Sequence, residues 1–385
     1  MRVLHVAATY LPAVRYGGTI VSVHGLCRAL AARGHEVHVF TTNVDGPGEL
    51  DVPLLAPVVM DGVRVWYFPS RFLRRLYFSR PMAQALAAQV GTFDLVHLHA
   101  LFVWPAWAAA RAARNARVPY LVSPRGMLEQ RLIRKKSRVL KSLLLAAFGR
   151  RMLERAAALH VTSNREADEA AAFSYSLPPI HQVPNGVDLD GPPAEMSDLP
   201  PAIANLVNGA PYMVFVGRIS WKKGLDRLIA ALRHVPEIRL VIAGTDDEGY
   251  RGELEAQAAK GGVMARVVFC GPVHGEAKSA LMARAQVLVL PSYSENFGNV
   301  VLEAMAAGCP VVVTPEVGIA DIVQASGAGL VLDGAPEVLG SGLSRLLHDA
   351  VLRRAMGERG RAAASNYSWA TVADRMERVY REVCS

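Results

Sequence analysis

An α/β protein with two doubly wound parallel sheets is what the sequence predicts, on three observations. Apolar strands alternate with amphipathic helices almost from end to end, a proline-rich stretch interrupts that alternation near the middle, and 385 residues suit two domains better than one. Hydrophobic residues make up 51% of the chain and charged ones 20%, with a mean hydropathy of +0.20, so the core is ample and the chain is neither disordered nor collagen-like. There is no run of roughly 18 apolar residues, which excludes a membrane-spanning helix. The opening Met1–Tyr10 resembles a secretion signal in its apolar character. However, His5 and Pro12 interrupt it and Gly17-Gly18 follow where a cleavage site would be needed, so a cytoplasmic protein with a retained first strand is expected. Cys27, Cys270, Cys309 and Cys384 are too scattered for a disulfide framework or a metal-ligand spacing.

The elements follow in order. Arg2–Ala7 reads as a strand, and Gly18–Arg33 as a helix with Ile20, Val23, Leu26, Ala29 and Leu30 on its apolar face. Gly34 ends that helix, and His35–Thr41, Val63–Phe68, Leu95–His99 and Tyr120–Ser123 read as strands. Seven prolines between Leu177 and Pro201 then break the pattern. Alternation resumes with strands Tyr212–Val216, Arg239–Ala243, Val267–Phe269, Val287–Leu290 and Pro310–Thr314, separated by helices near 225–234, 252–260, 276–283 and 299–307. The predicted domains are therefore 1–188 and 189–365, with 189–205 as linker and 366–385 as a closing helix. Ligands of such sheets bind beyond the carboxyl ends of the strands, and the loops there carry the informative residues.

Four loops stand out. After Val287–Leu290 comes Ser294-Glu295-Asn296-Phe297-Gly298-Asn299, with Glu303 about one turn into the next helix. Two carboxylates suit a polyol, because each oxygen accepts a hydroxyl proton, and the helix start offers backbone N–H groups at Phe297, Gly298 and Asn299. After Tyr212–Val216 comes Gly217-Arg218, with Lys223-Gly224 before the next helix; a guanidinium fork and an ammonium together suit a diphosphate. No P-loop pattern is present. After the first strand, Gly17-Gly18 allow close approach to a bound group at a helix start, but no acidic residue ends the second strand, which disfavours a nicotinamide cofactor. Asp94-Leu-Val-His97-Leu-His99 and Ser123-Pro-Arg125-Gly-Met127 close two further strands; His97 and His99 share a face, His97 reads as a structural histidine, and no metal site is expected. Taken singly, each loop also admits a plain reading, as solvated charges or an ordinary glycine turn.

Net charge is +8, concentrated in residues 1–190, where Lys and Arg outnumber Asp and Glu by ten. Nine basic residues fall in Arg131–Arg155, among them Arg131, Arg134, Lys135, Lys136, Arg138 and Lys141; Arg71, Arg74, Arg75 and Arg80 form a second cluster. Such a basic half suggests an anionic partner, a membrane leaflet or nucleic acid; the apolar residues interleaved with both clusters suit an anionic membrane surface, and a solvated helix face is the alternative.

Together these residues resemble glycosyltransferase family 4, the retaining nucleotide-sugar transferases of GT-B fold. Gly17-Gly18, Arg33-Gly-His-Glu-Val37, Asp94…His99, Pro184-Asn-Gly-Val-Asp188, Gly217-Arg218…Lys223-Gly224, Glu295…Glu303 and Tyr367-Ser-Trp369 carry the likeness over nearly the whole chain. The resemblance implies two Rossmann-like domains facing across a cleft, with the closing helix returning to the first. It implies that Arg218 and Lys223 hold the diphosphate of a UDP- or GDP-sugar and that Glu303 holds the ribose. Glu295 and the Asn296–Asn299 segment would hold the sugar, with Gly17-Gly18 approaching it. It implies a saccharide or lipid-linked acceptor, no cofactor, no metal and no nucleic acid. The Ser-Pro-Arg-Gly-Met and Ser-Glu-Asn-Phe-Gly variants resemble a bacterial polysaccharide-assembly subgroup, of lipopolysaccharide or exopolysaccharide. One departure is Arg125, where many members carry histidine: an arginine cannot act as a base but binds anions, and His99 is the candidate for the neighbouring role. The alternatives are a GT-B-fold epimerase or phosphorylase-like enzyme, and a basic binding module without catalysis, which leaves Arg218, Lys223, Glu295 and Glu303 unexplained.

Overall fold

The computed structural model describes residues 1–13, 17–129, 148–173, 175–189, 203–204, 210–235 and 238–385. They form two compact units, Met1–Gly186 with Trp369–Ser385, and Val187–Ser368. The chain thus crosses at Gly186–Val187 and again at Ser368–Trp369, a few residues from the boundaries expected at 188 and 366. Pairing explains the shift: Val187 bridges Ser368, and its N–H donates to the Tyr367 carbonyl at 2.9 Å, which ties both crossings to the second unit. The linker at 189–205 lies almost wholly outside the described residues.

The first unit holds an eight-stranded sheet: β1 (Arg2–Val6), β2 (Glu36–Thr42), β3 (Pro57–Met60), β4 (Val63–Phe68), β5 (Leu95–His99), β6 (Tyr120–Ser123), β7 (Ala158–Val161) and β8 (Ile180–Gln182). The order is β8-β7-β6-β5-β1-β2-β4-β3, parallel except for β3, which runs against β4. Strand order reverses between β1 and β5, so their carboxyl ends flank the switch point. Period-two alternation splits the core between the two faces: Leu4, Val6, Val96 and Leu98 pack with helix α2 (Trp104–Ala116), whereas Val3, Val39, Val65 and Leu95 pack with helix α1 (Gly18–Ala32). The C-terminal helix Trp369–Cys384 adds Trp369, Val372, Ala373, Met376 and Tyr380 to that second face, a stripe at helical spacing. Its indole explains two glycines, since a Cβ on Gly25 or Gly186 would stand 2.3 or 2.6 Å from a Trp369 ring atom.

The second unit is a fully parallel six-stranded sheet of β9 (Tyr212–Val216), β10 (Arg239–Ala243), β11 (Val267–Gly271), β12 (Val287–Leu290), β13 (Val311–Val313) and β14 (Gly329–Val331). Its order is β11-β10-β9-β12-β13-β14, with the switch point between β9 and β12. Both faces are covered, which is why β9 and β12 read as unbroken apolar runs. The helix expected at 225–234 is α-helical only over Leu225–Ala231 (α3) and tightens to a 3₁₀ turn at Leu232–His234, two residues before Pro236. Among the described residues no helix is long and apolar enough to cross a membrane.

Candidate functional site

The two loops at the second unit's switch point are stitched together. Gly224 stands at φ +66, ends the 3₁₀ turn Trp221–Lys223 and begins α3; a Cβ there would lie 1.9 Å from the Pro291 carbonyl oxygen. The Tyr293 N–H donates to the Lys222 carbonyl at 2.7 Å, its hydroxyl donates to Asp226 Oδ2 at 2.8 Å, and the Arg227 guanidinium lies 3.5 Å above its ring. This close seam brings Lys223 Nζ onto Glu295 Oε2 as an ion pair. Both side chains are part-buried, which strengthens their attraction relative to bulk water. Arg218, one residue beyond Gly217, is exposed and has no ion-pair partner among the described residues.

The segment after Glu295 is fixed by backbone bonds. Glu295 N–H donates to the Glu316 carbonyl at 3.1 Å, Gly318 N–H to the Glu295 carbonyl at 3.0 Å, and Ile319 N–H to the Phe297 carbonyl at 2.8 Å. Asn296 precedes Phe297, which is buried, and Gly298 takes φ +98 to begin helix α5 (Asn299–Ala306), following α4 (Gly275–Arg284). No side chain caps α5 and its first turn holds no acid, an arrangement open to an anion or a hydroxyl. Glu303 pairs through Oε2 with Lys278 Nζ at 2.7 Å. Lys278, from α4, was not singled out by the sequence; no local spacing marks it, because the contact joins two helices 25 residues apart.

In the first unit Gly17, at φ +78, caps α1 and Gly18 opens it. Sequence spacing gives His97 and His99 no further ligand-type neighbour, but the fold brings other histidines to them. The sheet sets His5 of β1 beside His97 in register and places His160 of β7 nearby, so that ring nitrogens of His5, His97 and His99 lie within 4.8 Å of one another. All four imidazoles are buried. Each ring nitrogen nevertheless has its own hydrogen-bond partner. Arg125 Nη2 meets His99 Nδ1 at 3.4 Å, His99 Nε2 meets His5 Nδ1 at 3.0 Å, and His5 Nε2 meets Tyr380 Oη at 3.4 Å. Tyr380 Oη then meets His97 Nδ1, His97 Nε2 meets Ser123 Oγ, and Ser123 Oγ meets His160 Nδ1, each at 2.7 Å. The chain ends with His160 Nε2 on the Val183 carbonyl at 2.9 Å.

Its two ends fix its polarity. A guanidinium only donates and a carbonyl only accepts, so every bond points from Arg125 towards Val183 and each neutral histidine carries its proton on Nε2. Burial, and then the charge of Arg125, push His5 and His160 down to about 3. Burial likewise holds His97 and His99 well below the ordinary histidine value.

The membrane-facing candidates Arg131, Arg134, Lys135, Lys136, Arg138 and Lys141 lie outside the described residues. The second basic cluster is described: Arg71, Arg75 and Arg80 are exposed beside Phe72 and Leu73, which are 68% and 51% exposed. Phe72 meets Phe78 edge-on at 6.1 Å between ring centroids, and Phe78 meets Trp104 of α2 at 4.8 Å.

Comparison with known proteins identifies the family. The profile of Glycosyltransferase Family 4 matches residues 16–190, and that of Glycosyl transferases group 1 matches residues 201–363. A D-inositol 3-phosphate glycosyltransferase of Xylanimonas cellulosilytica is 32% identical over 95% of this chain and 92% of its own length. A GDP-mannose-dependent alpha-mannosyltransferase of Mycolicibacterium smegmatis is 30% identical over 100% of this chain and 98% of its own. Among solved structures, Anabaena HepE in complex with UDP-glucose superposes with a TM-score of 0.76 at 20% identity, covering 99% of this chain and 100% of that one. With two doubly wound units and matches that run nearly end to end, the chain belongs to glycosyltransferase family 4 and is a glycosyltransferase of GT-B fold.

Proposed function

We propose that this enzyme is a retaining hexosyltransferase that moves a hexose from a UDP- or GDP-sugar to a saccharide or lipid-linked saccharide in bacterial surface polysaccharide assembly. The observation that carries the reading is the Lys223–Glu295 pair at a switch point, with Arg218 exposed on the same loop as Lys223. A relative named for GDP-mannose and a structural neighbour holding UDP-glucose support a nucleotide-sugar donor and leave its base as UDP or GDP.

In this reading Arg218 and Lys223 stabilise the charge that develops on the leaving diphosphate, doing so without a metal ion. Glu295 exchanges its hold on Lys223 for hydroxyls of the sugar, aided by Asn296 and the backbone of Phe297, Gly298 and Asn299. Glu303 takes the ribose, with Lys278 orienting its carboxylate. The bond from the anomeric carbon to the diphosphate oxygen breaks, the acceptor oxygen bonds that carbon on the face the diphosphate leaves, and the departing phosphate takes the acceptor's proton, so the anomeric configuration is kept. The test is a panel of UDP- and GDP-hexoses, read by melting temperature, nucleotide release and NMR of the product anomer, with and without EDTA. At least one donor is expected to stabilise the protein and be consumed with retention and without metal. Inversion, or activity that returns only with added Mg²⁺ or Mn²⁺, would overturn the mechanism.

The enzyme is further proposed to work at the inner face of the membrane, through Arg131–Lys141 and the Phe72–Leu73 patch. Exposed aromatic and aliphatic groups among arginines suit insertion at an anionic leaflet, where each nearby cation contributes about 1 kcal/mol. Co-sedimentation with anionic vesicles is expected to fall several-fold in Phe72→Ser/Leu73→Ser, while neutral vesicles bind weakly throughout. Equal retention by both vesicle types at low salt counts against it.

A further inference from the structure

We propose that the Arg125 guanidinium anchors an oxyanion-binding site in the first unit, taking a phosphate-type group beyond the carboxyl ends of β5 and β6.

Among the described residues Arg125 makes no ion pair. Nη1 donates to Asn185 Oδ1 at 3.0 Å and Nη2 to His99 Nδ1 at 3.4 Å, both neutral acceptors, while Nε is buried with no hydrogen-bond partner. Glu166, whose charge acts on Arg125, has its carboxylate engaged elsewhere: Oε1 accepts from Gly126 N–H at 2.7 Å, and Oε2 from Thr162 N–H and Oγ1 at 2.8 and 2.9 Å. A buried charge that lacks a partner is costly, and so is a buried N–H without an acceptor. The backbone is strained at the same point, with Arg125 at φ +55 and Gly126 at φ +72; the first of these is a conformation that L side chains seldom adopt.

The histidine chain keeps the site cationic and specific. Its polarity leaves His99 Nδ1 as an acceptor, so His99 orients the guanidinium and adds no charge of its own. Four neutral imidazoles and two hydroxyls offer no anion to neutralise Arg125 from behind. What remains is a planar fork of five N–H donors of which two are engaged, by Asn185 and His99, next to the first unit's switch point, and phosphate oxygens match it. The inference deepens the transferase reading, since the oxyanion would belong to donor or acceptor, but the binding itself can be measured without any transfer.

Inorganic phosphate is the probe, with sodium chloride at equal ionic strength as control, in the full-length Arg218→Ala/Lys223→Ala protein so that the second unit's cations are removed. Phosphate is expected to raise the melting temperature by about 2 °C or more at saturation. Adding Arg125→Gln should abolish the rise, and Arg125→Lys should weaken apparent affinity at least threefold. A rise that survives Arg125→Gln, or none beyond the chloride control, overturns the site. Should these variants not fold, ¹⁵N-histidine spectra of the wild-type protein decide: phosphate should move the His99 Nδ1 resonance, and an unmoved resonance counts against the proposal. UDP and GDP affinities of the single Arg125→Gln variant identify the source. A fivefold loss assigns the oxyanion to the donor's diphosphate, and unchanged affinity assigns it to the acceptor.

Discussion

Acidification from pH 6.5 to pH 4.5 should remove roughly 5 kcal/mol of stability from the first unit through His5 and His160 alone. In the unfolded chain an imidazole titrates near 6.5, whereas burial beside Arg125 brings these two down to about 3. Between those values the unfolded state binds protons that the native state does not. The stabilisation is therefore complete above about pH 6.5 and is lost as pH falls, at ~1.4 kcal/mol per pH unit for each group. His97 and His99 act in the same direction. Glu169, pushed up to about 7 by burial, acts in the opposite one, so Glu169→Gln is the appropriate background. Of the five tryptophans only Trp221 belongs to the second unit, and a Trp221→Phe substitution lets fluorescence report the first unit. Urea unfolding at pH 7, 5.5 and 4.5 should show the loss, and His160→Gln should flatten it by about one histidine's share. A stability that stays level across this range would mean that the four rings are not held neutral.

On the proposed mechanism Lys223→Ala should lower kcat/KM by about 10²–10³, the effect of removing one preorganised group that faces developing charge. Lys223→Arg should recover part of it, since charge is kept while reach and geometry change. Because Lys223 and Glu295 are ion-paired, Lys223→Ala with Glu295→Gln should cost less than the two single losses combined. Glu295→Gln is expected to lower kcat more than donor affinity if its contact with the sugar strengthens as the glycosidic bond breaks. Strict additivity across the cycle would show that the two side chains act separately.

Much of this molecule is local in origin. Strands Val63–Phe68, Leu95–His99, Tyr120–Ser123, Tyr212–Val216, Arg239–Ala243 and Val287–Leu290 have the bounds that their apolar runs predict, because strands covered on both faces are mostly apolar, with only single polar positions such as Arg64 and Arg239 left exposed. The loops carrying Gly17, Arg218, Lys223, Glu295 and Gly298 were legible for a related reason: they sit at strand ends, where polar and glycine residues interrupt those runs. Periodicity is blind to partners. It put His97 and His99 on one face, but His5 lies 92 residues before His97 and His160 lies 63 after it, and only the order of the parallel strands makes them neighbours.

The same holds for charge. Lys223 and Glu295 each read as a ligand-facing group, and their pairing depends on Gly224 packing onto Pro291; Glu303 with Lys278 depends on α4 lying beside α5. Sequence by itself thus determined the α/β class, the strand positions and the residues at the strand ends, since each follows from burial and backbone preference within a few residues. Tertiary structure alone decided which of those residues neutralise one another, which way the histidine chain runs and that Arg125 makes no ion pair among the described residues, because electrostatic and hydrogen-bond partners are chosen by distance in space and not along the chain.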